Sequence, residues 1–85
     1  MAWAVVIAKS AEKKLRKIPS KDQHYILKAL EDMEQNPFSG DVVRLKNQDG
    51  VLRRRVGHWR IFFEIDFDNR RVLISAIERR TSTTY

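Results

Sequence analysis

Apolar and polar residues alternate most regularly between Trp59 and Phe67. Trp59, Ile61, Phe63, Ile65 and Phe67 recur every second position, and Arg60, Phe62, Glu64 and Asp66 fill the gaps. That is the pattern of a strand with one buried face. Upstream, Leu52 and Val56 share one parity and Val51, Arg53 and Arg55 the other, while Gly57-His58 between the two runs has the composition of a tight turn. A two-residue loop there sets Val56 opposite Trp59, Arg55 opposite Arg60, Arg54 opposite Ile61 and Leu52 opposite Phe63. The core parity is then consistent except at Arg54. Arg55 and Arg60 repel each other across the ladder, with Cβ atoms about 4.5–5.5 Å apart. A fold that binds anions has a use for such a pair.

The remaining elements follow from the same kind of pattern. Trp3 to Ala8 is an apolar run with β-branched residues at Val5, Val6 and Ile7, which suits a strand buried on both faces. Ser10 offers a helix N-cap, and Ala11, Leu15 and Ile18 lie on one helical stripe that excludes Lys13, Lys14, Arg16 and Lys17. Pro19 ends that helix. A second helix begins at once, with the capping-box spacing Ser20-Lys21-Asp22-Gln23 and a stripe of Ile26, Leu30 and Met33. Residues Asn36 to Asp41 form a turn-rich break, Val42 to Lys46 reads as a strand, and Asn47 to Gly50 turns into the hairpin.

After the hairpin, Asp68-Asn69 makes a second turn and Arg71 to Arg79 a final strand. This register pairs Ile65 with Val72, Phe63 with Ile74 and Ile61 with Ala76, and sets Ile77 opposite Arg60 and Arg79 opposite His58. Arg79 becomes a diagonal neighbour of Arg60, about 7–8 Å away. The pattern predicts an α+β fold in the order β-α-α-β-β-β-β, with an N-terminal strand and an α-hairpin packed on one face of a small, largely antiparallel twisted sheet. The opposite face carries Arg53, Arg55, Arg60 and Arg79.

Composition narrows the function. A chain of 85 residues is expected to form one domain, 1–85, with a single core. There is no cysteine, which excludes disulfides and thiolate metal sites. No apolar run approaches the roughly 20 residues that span a bilayer, and the N-terminus lacks a basic leader, so a cytoplasmic protein without membrane contact is expected. The net charge of +6 makes nucleic acid or an acidic protein the expected partner. No spacing of His, Asp and Glu marks a metal site, and no cofactor is expected.

The succession of a strand, an α-hairpin, Asn36-Pro37-x-x-Gly40-Asp41 before Leu45-Lys46, and Leu52-Arg53-x-Arg55-Val56-Gly57-x-Trp59-Arg60-Ile61-x-Phe63-Glu64-Ile65 resembles the RelE/ParE superfamily of bacterial toxins from toxin–antitoxin pairs. The likeness spans essentially the whole chain; its most specific segments are Arg53 to Ile65 and Glu78 to Tyr85. In the RelE branch it implies a ribosome-dependent, metal-independent endoribonuclease that cuts mRNA in the A site and is restrained by a cognate antitoxin. Operator DNA is expected as a partner only through the antitoxin complex. The ParE branch shares the fold and inhibits DNA gyrase without chemistry, and fold alone does not separate the two. By resemblance, Arg60 holds the scissile phosphate, Arg79 is a second catalytic arginine and Tyr85 is the base. Val51, where the family often has a basic residue, and Arg54, where it usually has a packed aliphatic one, depart from the pattern.

The chemistry supports the same division of labour. Attack by the 2′-hydroxyl needs a proton acceptor, support for the extra charge on phosphorus and a proton for the leaving 5′-oxygen. Guanidinium suits the second task and is a poor base or acid, because its pKa lies above about 12. Tyr85 is then the remaining acceptor, with its α-carboxylate as the rival group. Arg53, Arg55, Arg80 and His58 are expected to bind RNA. For Arg53 and Arg55 a catalytic role is equally open, and for His58 the plainer reading is an exposed turn residue. Arg54 reads as a snorkelling residue with a packed stem and a wet head, and Trp3 and His24 read as structural. A basic RNA-binding module without chemistry is the third, weaker function.

Overall fold

The structure is a computed structural model that describes residues 2–80. Its elements are β1 (Ala4–Ile7), α1 (Lys9–Lys17), α2 (Ser20–Gln35), β2 (Asp41–Arg44), β3 (Leu52–Val56), β4 (Trp59–Asp66) and β5 (Arg71–Arg79). The strands form one sheet in the order β1-β5-β4-β3-β2. Strand β1 runs parallel to β5, because the helical pair carries the chain back across the sheet, and every other pairing is antiparallel.

The two helices cover one face. Ala11, Leu15 and Ile18 from the first helical segment and Ile26, Ala29, Leu30 and Met33 from α2 meet Trp59, Ile61, Phe63, Val72, Ile74 and Ile77 from the sheet. Phe63, Ile61 and Val72 are wholly enclosed, and full burial of such side chains is worth roughly 1.5–3 kcal/mol each. This layer fixes which face of each strand points inward. Residues of the other parity are left on a face that the helices do not cover.

Three expectations about the N-terminal strand and the helix starts need correction. First, β1 is an edge strand: Val5 and Ile7 are half-buried, but Val6 on the other side is 45% exposed. Its apolar run reflects packing against α2 on one face only. Second, α1 begins before Ser10, with Ala8 at the N-cap and no side-chain cap. The amide of Ala8 donates to the Ile74 carbonyl at 2.9 Å, so the chain turns into the helix directly from the strand. Third, Ser20 lies inside α2, whose N-cap is Pro19. Gln23 does not close a capping box; its Nε2 donates to the Leu15 carbonyl at 2.8 Å and ties the end of α1 to the start of α2.

The β3–β4 register is the expected one, with Val56 opposite Trp59, Arg55 opposite Arg60, Arg54 opposite Ile61 and Leu52 opposite Phe63. The β4–β5 turn is held by Asp66. Its carboxylate accepts from the Asn69 amide at 3.2 Å, from Asn69 Nδ2 at 2.9 Å and from Arg71 Nη2 at 3.1 Å. The side-chain and backbone hydrogen bonds from Asn69, and then Arg71, lower the carboxyl's pKa below its ordinary value of 3.8.

Candidate nucleic-acid interface

Strand alternation and the antiparallel registers align four charged residues across the uncovered face. Asp41 on β2 lies opposite Arg55 on β3, Arg55 opposite Arg60 on β4, and Arg60 opposite Glu78 on β5. The adjacent row runs Val43, Arg53, Phe62 and Ala76. Two neighbouring guanidinium groups thus sit at the middle of the sheet between two carboxylates. The repulsion between Arg55 and Arg60 is offset at both ends of the row.

That neutralisation is incomplete. Asp41 serves two arginines, with its Oδ1 at 3.4 Å from Arg53 Nη2 and its Oδ2 at 3.9 Å from Arg55 Nε. Among the described residues neither Arg60 nor Glu78 has an ion-pair partner. The Arg60 guanidinium stands 5.8 Å from the centre of the Phe62 ring, within the range of a cation–π contact. The Nε–H groups of Arg53, Arg55 and Arg60 are enclosed and find no acceptor among the described residues. An enclosed donor without an acceptor is costly, and the outward nitrogens of such groups favour an incoming anion.

On β5 the structure departs from the expected register. Ile65 pairs with Val72 and Phe63 with Ile74 as expected, but a bulge between Phe62 and Phe63 advances the rest by one residue. Ser75 is the extra residue, and its Oγ donates to the Phe62 carbonyl at 3.2 Å. A single inserted residue exchanges the two faces of everything that follows. Ile61 therefore meets Ile77 rather than Ala76, Arg60 meets Glu78 rather than Ile77, and Trp59 meets Arg79. Arg79 is placed on the helix side of the sheet, 5.9 Å from the Trp59 ring centre, and not beside Arg60.

The other expected site residues fall around this row. Arg80 follows the end of β5, and its amide donates to the His58 carbonyl at 2.6 Å. His58 is exposed in the β3–β4 turn, where it lines a cleft of about 290 Å³ with Asp22, Tyr25 and Trp59. Tyr85 lies outside the described residues. The site therefore unites Arg53, Arg55 and Arg60, with Arg80 near its rim, and separates Arg79 from them. Glu78 is the member that reading the strand pattern missed. Its signal was the broken parity of Val72, Ile74 and Ile77, which no unbulged strand keeps on one face.

Arg54 positions the hairpin that carries these arginines. It points to the helix side, where its Nη1 donates to the Ala29 carbonyl and to Ser39 Oγ, each at 3.2 Å, and its Nη2 lies 3.7 Å from Asp32. Only 11% of its side chain is exposed, so its head is bonded to α2 and the following loop instead of being wet. Gly40 makes room for it: with φ at +79°, a Cβ there would stand 2.8–2.9 Å from the guanidinium. Among the described residues no group of three or more His, Cys, Asp or Glu side chains is arranged to hold a metal ion. No helix among them is long and apolar enough to cross a membrane.

The family model for the ParE toxin of type II toxin–antitoxin systems matches residues 5–83. A curated relative from Methanocaldococcus jannaschii that carries the name of a toxin, RelE1, is 31% identical over 83 residues, which cover 94% of this chain and 92% of the relative. Among solved structures, the archaeal RelE–RelB complex from Pyrococcus horikoshii aligns with a TM-score of 0.83 at 22% identity, over 98% of this chain and 100% of the matched one. The isolated RelE toxin of E. coli aligns with a TM-score of 0.83 at 14% identity, over 96% of this chain and 88% of that one. At these identities the structural likeness speaks for the fold.

Proposed function

Since the chain belongs to the RelE/ParE superfamily of toxin–antitoxin toxins, we propose that it is a ribosome-dependent endoribonuclease that cleaves mRNA in the A site. The observation that carries this reading is the pair of directly opposed arginines, Arg55 and Arg60, on the face the helices leave open. Such a pair is a poor way to stabilise a sheet and a good way to grip a phosphodiester. Arg60, without an ion-pair partner among the described residues, is the group that holds the scissile phosphate and supports its extra charge during 2′-oxygen attack. Arg53 and Arg55, tethered to Asp41, bind the flanking backbone, and Arg80 and His58 extend that surface at the hairpin tip.

Arg79 takes a different part from the one its spacing implied. Placed against Trp59, it steadies the end of β5 and contacts RNA from the rim. Tyr85 is retained as a proton-transferring group. A cognate antitoxin is the expected partner, in keeping with the RelE–RelB complexes among the structural neighbours. Cytoplasmic action follows from the ribosome as target.

Inhibition of DNA gyrase is the second reading, favoured by the ParE name of the matching family model. Adding the purified chain to a cell-free translation system and to a gyrase supercoiling assay separates them. Loss of translation with cut messages, and no effect on supercoiling, is expected. Blocked supercoiling with intact messages overturns the nuclease reading.

A further inference from the structure

The β5 bulge delivers a carboxylate to the centre of the arginine row. Glu78 lies directly opposite Arg60, on the same face, and is exposed. Neither it nor Arg60 has an ion-pair partner among the described residues, so opposite charges face each other across the ladder without closing on one another. One row along the sheet from Arg60, a groove of about 400 Å³ opens, floored by Leu45, Val51, Phe62 and Ala76 and edged by Glu64 and Glu78. The groove supplies room for a nucleoside and an aromatic ring beside it. A carboxylate, Glu78, stands where this groove meets the arginine row.

We propose that Glu78 is a catalytic residue, the base that takes the proton of the attacking 2′-hydroxyl. The inference rests on the ribonuclease reading. The hydroxyl proton passes to a Glu78 carboxylate oxygen as the 2′-oxygen forms its bond to phosphorus. The bond from phosphorus to the 5′-oxygen breaks, and that oxygen departs with a proton from solvent. The products are a 2′,3′-cyclic phosphate and a 5′-hydroxyl, and Glu78 returns its proton to water. A carboxylate is ionised at neutral pH, whereas a phenol titrates near 10 and is protonated there. The assignment therefore gives acceptance to Glu78. It also accounts for a carboxylate at a place where anion binding alone favours a neutral or basic residue.

The charged and titratable groups facing Glu78 are Arg60 across the ladder, Arg55 one strand further, Glu64 at the other edge of the groove, and Arg80 and His58 at the hairpin end. A reaction that needs a carboxylate base slows on the acidic side of its pH profile. The test is single-turnover cleavage of message on programmed ribosomes across pH, with the parent, Glu78→Gln and Glu78→Asp. The Gln variant is expected to cut at least about 100-fold more slowly at saturation. It should also bind RNA more tightly, having lost a negative charge beside Arg60, and lack the parent's acidic limb. The Asp variant recovers part of the rate and the limb. A Gln variant that cuts at the parental rate with the acidic limb intact overturns the proposal and leaves the nuclease reading standing. A rate unchanged or raised, with tighter binding, assigns Glu78 to charge balance and overturns it equally. A parent that cuts no message overturns the nuclease reading and this role with it.

Discussion

Replacing Arg54 tests how the arginine face is held in place. Arg54→Ala removes two hydrogen bonds from a charged donor, to Ala29 and Ser39 at 3.2 Å each, and a weaker pairing with Asp32 at 3.7 Å. Hydrogen bonds to charged groups contribute about 1.5–3 kcal/mol each, but the released acceptors are only part-buried and water replaces some of what is lost. The Asp32 pair adds less than about 1 kcal/mol, because Asp32 is 45% exposed. The net expectation is about 2–3 kcal/mol, or a fall in Tm of roughly 10–20 °C for a domain of this size. Arg54→Met keeps the packed stem and loses the bonded head, so most of the loss should persist.

The same reasoning predicts coupling with Gly40. In the parent, Gly40→Ala meets both an unfavourable positive φ and the Arg54 guanidinium. In the Arg54→Ala background only the backbone cost of about 1–2 kcal/mol remains. Urea melts of the four proteins in the cycle measure both quantities. An Arg54→Ala loss below about 0.5 kcal/mol, within the range of ordinary surface changes, or strict additivity with Gly40→Ala, would refute the reasoning.

Two further predictions concern the sheet's ends. On the proposed nuclease reading, in which Arg60 holds the scissile phosphate, Arg79→Ala should reduce message cleavage by about tenfold or less, against about 100-fold or more for Arg60→Ala, because Arg79 lies on the helix side of the sheet against Trp59; equal losses in single-turnover rates would contradict the placement of Arg79. The lowered pKa of Asp66 means that its contribution to stability is present above the ordinary value of 3.8 and is lost as pH falls through the depressed folded value. The parent should thus lose its advantage over Asp66→Asn only in that acidic range, and a stability difference that persists in strong acid would count against the turn's carboxylate.

Much of this arrangement was legible in the chain. Strict alternation from Trp59 to Phe67, a two-residue turn and a clear apolar parity specify the β3–β4 register, and with it the opposition of Arg55 and Arg60. The helices were equally plain, though their caps were not. Caps are decided by where the preceding strand ends and what a side chain meets in three dimensions, as Ala8 and Gln23 show. The bulge was legible only as an anomaly, because an extra residue such as Ser75 is defined by its partner strand and not by its own sequence. That one residue decided which of Glu78 and Arg79 joins the site. Arg54 was out of parity for an equally spatial reason, since its acceptors lie on α2 and in the loop before β2. The three arginines in a row thus divide into one that builds the face and two that occupy it.

The most direct test of the account is the chemistry of the message ends left on programmed ribosomes by the parent chain and by Arg60→Ala. Cuts confined to the A-site codon, with 2′,3′-cyclic phosphate on the upstream fragment, are expected for the parent, and their near absence for the variant. Intact message with the parent, or equal cutting by Arg60→Ala, would contradict it.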